Sequence, residues 1–148
     1  MAEIGFYHLL TMPLERALPR LLERAVGQGH RVVVHTGSPE RVEHLNAVLW
    51  KYDEASFLAH GSARDGNSAA QPIWLTHQAE NPNAASMLVL IDGVTADDLT
   101  GYARCADLFD GNDPDAVEAA RGRWRAAIAA GHTLTYWQQT DKGWEKKA

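Results

Sequence analysis

The residue pattern that most suggests chemistry is two arginines on either side of a tryptophan near the C-terminus. Arg121, Trp124 and Arg125, followed by Ile128, lie within residues 113–131. On a helix with about 3.6 residues per turn these side chains share one face. Two like charges one turn apart repel each other, so the helix gains no stability from them. A fixed pair of cations beside an aromatic ring suits an anionic ligand with an apolar tip.

The same segment also fits an ordinary amphipathic helix. Its apolar residues recur at helical spacing, at Val117, Ala120, Trp124, Ala127 and Ile128. Tryptophan is usually largely buried, and the arginines would then simply be solvated. The charge distribution favours a binding role: the net charge is -5, yet residues 121–148 carry six of the 14 lysines and arginines against Asp141 and Glu145. A basic region in an acidic protein suits an acidic peptide better than a nucleic-acid backbone.

Signatures of phosphate binding, metal binding and nucleophilic catalysis are missing from the sequence. No GxGxxG follows either clear strand, and neither GxxxxGK[ST] nor GxSxG occurs. HTGSPE, after the second predicted strand, could meet an anion at a helix N-terminus, but helix capping explains it. The seven histidines show neither HxxxH nor HxxH spacing. We therefore predict no cofactor and no metal site.

One acidic run and one cysteine have simple structural interpretations. The run comprises Asp107, Asp110, Asp113 and Asp115. It lacks the terminal glutamate of a calcium loop, so these residues are expected to be solvated caps. Cys105, the single cysteine, lies in an apolar strand and is expected to be an inert buried thiol.

The elements that must position these residues alternate along the chain. Strands are predicted at 3–9, 31–36, 56–59, 73–76, 86–92 and 132–139, helices at 15–26, 39–50, 97–102 and 114–130, and a loop at 61–70. Strand–helix alternation favours parallel pairing with right-handed crossovers. We therefore predict an α/β fold in which a single domain, 1–148, has a mostly parallel central sheet flanked by helices. Pro19 is expected in the first turn of its helix or at a kink.

Composition sets the broad class. With 45% hydrophobic and 22% charged residues, the chain is typical of a globular protein. It has no run of membrane-spanning length, and its N-terminus does not read as a signal peptide. A lone cysteine agrees with a reducing compartment, so a cytoplasmic location is expected.

Several sequence blocks carry a family resemblance through their order and spacing. They are FYHL at Phe6, VLWKYDEASFLAHG from Val48, QPIWLT from Gln71, NPN at Asn81, CADLFDGNDPDAVEAARGRW from Cys105, and TYWQQTDKGWEKK from Thr135. The chain as a whole resembles the chi subunit of bacterial DNA polymerase III holoenzyme, in the α-proteobacterial form. Ala59 departs from the family, which has proline there, and this is expected to alter local rigidity more than partner choice.

The resemblance implies a non-enzymatic adaptor with Rossmann-like topology and no nucleotide site. Family members bind the psi subunit, which ties them to the clamp loader, and the acidic, phenylalanine-ended C-terminal tail of single-stranded DNA-binding protein. The resemblance thus implies that the protein contacts nucleic acid only indirectly, through its partners, and that it does not bind a membrane. The tail site carries over to Arg121, Trp124 and Arg125, with Ile128 beside them. The psi site carries over to Phe57, which could equally be a core residue, and more weakly to Trp50.

Two other functions are compatible with parts of the sequence. One is a small nucleotide-binding enzyme that uses the carboxyl edge of the sheet. The other is direct binding of single-stranded nucleic acid through the tryptophans and the C-terminal cations. The acidic net charge argues against the second.

Overall fold

The computed structural model describes residues 3–52, 60–62, 66–96, 99 and 101–148. The strands are β1 (Glu3–Leu9), β2 (Val32–His35), β3 (His60–Ser62), β4 (Ile73–Thr76), β5 (Met87–Leu90), β6 (Arg104–Asp110), β7 (Thr133–Thr140) and β8 (Gly143–Lys146). The helices are α1 (Leu14–Gly27), α2 (Pro39–Lys51), α3 (Pro114–Ala129) and a 3-10 turn at Ser68–Ala70. Within these ranges no helix is both long and apolar enough to cross a membrane.

All of these strands form one sheet, in the order β3-β4-β2-β5-β6-β1-β7-β8. β1 lies between β6 and β7 and is parallel to both. β2 is likewise parallel to β4 and β5, whereas β7 and β8 form an antiparallel hairpin. Parallel strands of one sheet need long crossover connections, and α1, α2 and α3 belong to the connections that follow β1, β2 and β6. The predicted α/β class, with a mostly parallel sheet and Rossmann-like topology, is confirmed.

The two faces of the sheet carry separate apolar cores because successive strand residues point to opposite sides. α1 and α2 cover one face, where Leu18 and Leu45 are fully buried. α3 covers the other face through Ala120 and the partly buried Trp124. Residues 32–34 of β2 are all 0% exposed, as expected for a central strand with both faces covered. Surfaces on α2 and α3 therefore lie on opposite sides of the molecule.

Helix boundaries follow the local signals. The Ser38 hydroxyl accepts a hydrogen bond from the Arg41 amide, and Pro39 takes the first helical position of α2. Gly29, with φ of +91°, follows the end of α1, where glycine reaches the left-handed region without strain. Pro19 is buried inside α1 beyond the first turn, so the first-turn alternative is wrong.

Short elements were predicted less well. Gly61 and Ser62, expected in a loop, belong to β3 because they pair in parallel with β4, and residues 68–70 of the same predicted loop form the 3-10 turn. The predicted strand 56–59 lies outside the described residues. Of the predicted helix 97–102, residues 99, 101 and 102 are described, and they lie in non-helical backbone. β8 was not predicted. Pairing with a neighbouring strand outweighs weak local propensity at such places.

Candidate peptide-binding site

Helix α3 carries the predicted site and is fixed at both ends. Asp113 Oδ1 accepts a hydrogen bond from the Asp115 amide at 3.0 Å, and Pro114 takes the first helical position, where no amide hydrogen is needed. Gly131 follows the helix with φ of +84°, and its amide donates to the Ile128 carbonyl at 3.0 Å. The helix predicted between residues 113 and 131 is confirmed.

A buried ion pair fastens α3 to β6. Arg123 Nε and Nη2 donate to Asp107 Oδ2 and Oδ1 at 2.6 and 2.9 Å, a bidentate geometry. Burial raises the pKa of the Asp107 carboxyl, and the guanidinium of Arg123 opposes that shift. The expectation that Asp107 is a solvated cap is wrong, because its side chain is 4% exposed. With Arg123 turned toward the sheet, helical geometry turns Arg121 and Arg125 toward solvent.

An apolar pocket of about 290 Å³ opens beside α3, between the helix and strands β6 and β7. Its lining consists of Phe109, Val117, Ala120, Arg121, Trp124, Tyr136 and Ala148. Trp124 is held edge-to-face between Phe6 and Tyr136, with ring centroids 5.3 and 5.8 Å away, an arrangement that aromatic rings favour. Trp124 therefore belongs to both the core and the pocket wall. Its predicted role in binding a partner stays a prediction.

Tyr136 forms the wall of the pocket contributed by β7. Its hydroxyl shares a hydrogen bond with His8 Nδ1, and its ring lies 6.2 Å from that of Phe109. Burial raises the pKa of Tyr136, with Arg121 opposing the shift, so the phenol is neutral at physiological pH. Because the hydroxyl is already bonded, the ring presents an apolar surface to the pocket.

The two predicted arginines lie at and beyond the pocket rim, in solvent. Arg121 lines the pocket, and Arg125 follows one turn later; their side chains are 67% and 68% exposed. The carboxylate of Glu118 lies between them, with Oε2 3.6 Å from Arg121 Nη1 and Oε1 3.8 Å from Arg125 Nη2. Both distances exceed hydrogen-bond length. Ile128 is 56% exposed and does not line the pocket, so the apolar residues of α3 that pack against the sheet end at the partly buried Ala127.

Comparison with known proteins shows the family to which the chain belongs. The family model described as DNA polymerase III chi subunit, HolC, matches residues 1–135. The chain belongs to the DNA polymerase III chi subunit family. A protein of Rickettsia prowazekii (strain Madrid E), described as a probable DNA polymerase III subunit chi, is 36% identical over 91 residues. Those residues make up 62% of this chain and 55% of that protein, so the chain spans about half the length of the relative it matches. The resemblance inferred from sequence blocks is confirmed.

Trp50 is one of the two residues expected at the psi site, and it lies on the face of the sheet opposite to α3. Trp50, near the end of α2, is 60% exposed, and its ring centroid is 4.9 Å from that of His60 on β3. Phe57 lies outside the described residues. α2 and α3 cover opposite faces of the sheet, so Trp50 and Trp124 lie on opposite sides of it.

A cleft of about 900 Å³ lies at the carboxyl ends of β1 and β6, where many α/β proteins bind nucleotides. Its acidic lining residues are Glu15, Asp92, Asp110, Asp113 and Asp115. Of its two arginines, Arg41 is paired with Glu15 and Asp92 at 3.1 and 3.2 Å, and Arg123 with Asp107. The cleft is therefore lined by five carboxylates, and both of its arginines are already paired with carboxylates. Such a lining repels phosphate, which argues against the nucleotide-binding alternative.

The described part of the chain was predicted to have no metal site and to bury its one cysteine. No group of three His, Cys, Asp or Glu side chains there is placed to hold a metal ion. Burial raises the pKa of the Cys105 thiol to about 12. Cys105 is thus a buried thiol that stays protonated, as predicted.

Sequence reasoning missed four residues that shape the site: Phe109, Tyr136, Glu118 and Arg123. Phe109 and Tyr136 lie on β6 and β7, which flank β1 on its two sides, and no local spacing reveals that they meet. The sequence did not reveal the role of Arg123, because its partner Asp107 lies 16 positions earlier in the chain. Glu118 could have been found, since a carboxylate three residues before an arginine is a known helical pair.

Proposed function

We infer that this protein is a non-catalytic adaptor of DNA polymerase III holoenzyme that binds the acidic C-terminal tail of single-stranded DNA-binding protein. The observation that carries the proposal is the apolar pocket beside Trp124 with a cationic rim on the same helix. A single chi-like domain over residues 1–148 would then carry this site and the site for psi.

The pocket suits a terminal phenylalanine. A cavity of about 150 Å³ holds a benzene ring in a protein interior, and this pocket measures about 290 Å³. The space accommodates a phenyl ring together with part of the preceding residue. Phe109, Trp124 and Tyr136 offer the aromatic contacts that such a ring favours.

The rim suits the carboxylates of the same peptide. Arg121 lies where it can meet the terminal carboxylate of a phenylalanine seated in the pocket, and Arg125 lies further along α3, toward acidic residues upstream. Burial of the phenyl ring contributes about 1.5–3 kcal/mol, and a charge-assisted hydrogen bond about 1.5–3 kcal/mol. Solvent exposure of both arginines reduces the second contribution. Loss of translational freedom and peptide ordering take back several kcal/mol, so micromolar affinity is expected, near -8 kcal/mol.

The proposal extends to the psi subunit on the opposite face. Trp50 supports it as an exposed aromatic side chain near the end of α2, and Phe57 enters through resemblance alone. Aromatic residues of this kind are enriched at interface centres. Trp50→Ala should abolish recovery of psi from cell extract while leaving binding of the tail peptide intact; equal recovery by the variant and the wild type would sink this assignment.

The tail proposal is tested by calorimetric titration with a peptide that has several acidic residues and a C-terminal phenylalanine. We expect micromolar binding that weakens with salt, because exposed charge pairs are screened. Arg121→Ala should weaken binding about tenfold, since one charge-assisted bond is worth about 1.5–3 kcal/mol. Arg125→Ala should have a smaller effect, because Arg125 does not line the pocket.

Matched controls separate this site from general electrostatics. Arg20→Ala removes an exposed arginine on α1, on the opposite face, and should leave affinity unchanged. A peptide whose final phenylalanine is replaced by alanine should bind the wild-type protein weakly. Its affinity should be no higher than that of the phenylalanine-ended peptide for the Arg121→Ala variant. If Arg121→Ala and Arg125→Ala both bind as well as wild type, the site lies elsewhere. Tight binding of a labelled single-stranded oligonucleotide by the isolated protein would instead favour direct nucleic-acid recognition.

A further inference from the structure

Glu118 occupies the position between the two rim arginines that a peptide carboxylate would be expected to take. Each of its oxygens faces a different guanidinium, at 3.6 Å for Arg121 and 3.8 Å for Arg125. The three side chains are 66–68% exposed, so the arrangement is open to solvent and to a ligand. Neither contact is short enough for a hydrogen bond, so the donors of both arginines stay available.

We propose that Glu118 is an internal competitor of the acidic peptide and sets the affinity of the site. This inference rests on the proposed function, because it assigns a role to a residue of the same surface. An incoming carboxylate must either displace Glu118 from the arginines or bind beside a like charge, and both lower affinity.

The opposite role for Glu118 makes a different prediction. If its carboxylate held the two arginines in a productive orientation, its removal would weaken binding. The long distances and high exposure favour competition, because loose solvated ion pairs hold side chains poorly. The sign of the change in affinity therefore decides between the two roles.

Glu118→Gln is the direct test, because glutamine keeps the size and the helix propensity of glutamate while removing its charge. Titration with the acidic phenylalanine-ended peptide should show affinity about two- to fivefold above wild type, the size expected from exposed ion pairs. The gain should shrink as salt is raised. It should also shrink in the Arg121→Ala background, because one of the two paired cations is then gone.

Glu40→Gln is the matched control. Glu40 is an exposed glutamate in the first turn of α2, on the other face of the sheet, and its substitution changes the net charge equally. A gain confined to Glu118→Gln supports local competition, whereas an equal gain in Glu40→Gln would assign the effect to net charge and overturn the proposal. Unchanged or weaker binding by Glu118→Gln, with Arg121→Ala still impaired, would overturn it and leave the proposed function standing. If the wild type binds no peptide, both proposals fail.

Discussion

Replacing Arg123 by methionine tests how the site is held in place. Methionine retains much of the arginine stem but leaves the Asp107 carboxylate, 4% exposed, without its cation and two hydrogen bonds. Breaking one partner of a buried ion pair costs about 3–5 kcal/mol. For a chain of this length each kcal/mol lowers Tm by about 2–4 °C. We therefore expect Arg123→Met to unfold roughly 10 °C below wild type at neutral pH.

The pH dependence of this loss gives a second readout. In the variant, burial is no longer opposed by a guanidinium, so the pKa of Asp107 in the folded state rises further above its unfolded value of about 3.9. The folded variant then holds a proton that the unfolded chain has released. Its free energy of unfolding therefore increases as pH falls through the folded-state pKa toward the unfolded one. The deficit relative to wild type should be smaller at mildly acidic pH than at neutral pH.

Urea unfolding of both proteins at the two pH values measures these quantities. Arg121→Met is the matched control, because Arg121 lies on the same helix but is 67% exposed, and it should cost well under about 1 kcal/mol. Equal stability of Arg123→Met and Arg121→Met would refute the buried-pair reasoning. A deficit that does not change with pH would show that Asp107 is not left as a buried charge.

Two further predictions concern Gln139 and Trp50. Gln139 Oε1 accepts hydrogen bonds from the amides of Leu10, Thr11 and Met12 at 3.0, 2.9 and 2.8 Å. Gln139→Leu should therefore lower the free energy of unfolding by about 2 kcal/mol or more. Unchanged hydrogen exchange at the Thr11 amide would contradict this prediction. Trp50→Ala should lower the free energy of unfolding by less than about 1 kcal/mol, since a side chain that is 60% exposed makes few core contacts. A larger loss of stability in urea unfolding would show that Trp50 is a core residue.

The sequence by itself determined the elements with strong local signals. Asp113 and Pro114 mark the start of α3 and Gly131 its end, because capping chemistry and the left-handed stop act within a few residues. The apolar runs of β2 and β5 identified central strands because both of their faces are buried. The placement of Arg121, Trp124 and Arg125 on one helix face also follows from spacing alone.

Only the tertiary structure decided what surrounds that helix face. Phe109 and Tyr136 come from strands that pair with opposite sides of β1, and such long-range pairing leaves no local pattern. Burial of Asp107 against Arg123 likewise depends on how α3 packs on the sheet, although the sequence shows only another aspartate in an acidic run. Gly61 and Ser62 became a strand because β4 offers them a partner edge. Local sequence preferences fix the end of a helix to within about one turn. The walls of a pocket come from segments that are distant in the chain, and only tertiary packing brings these segments together.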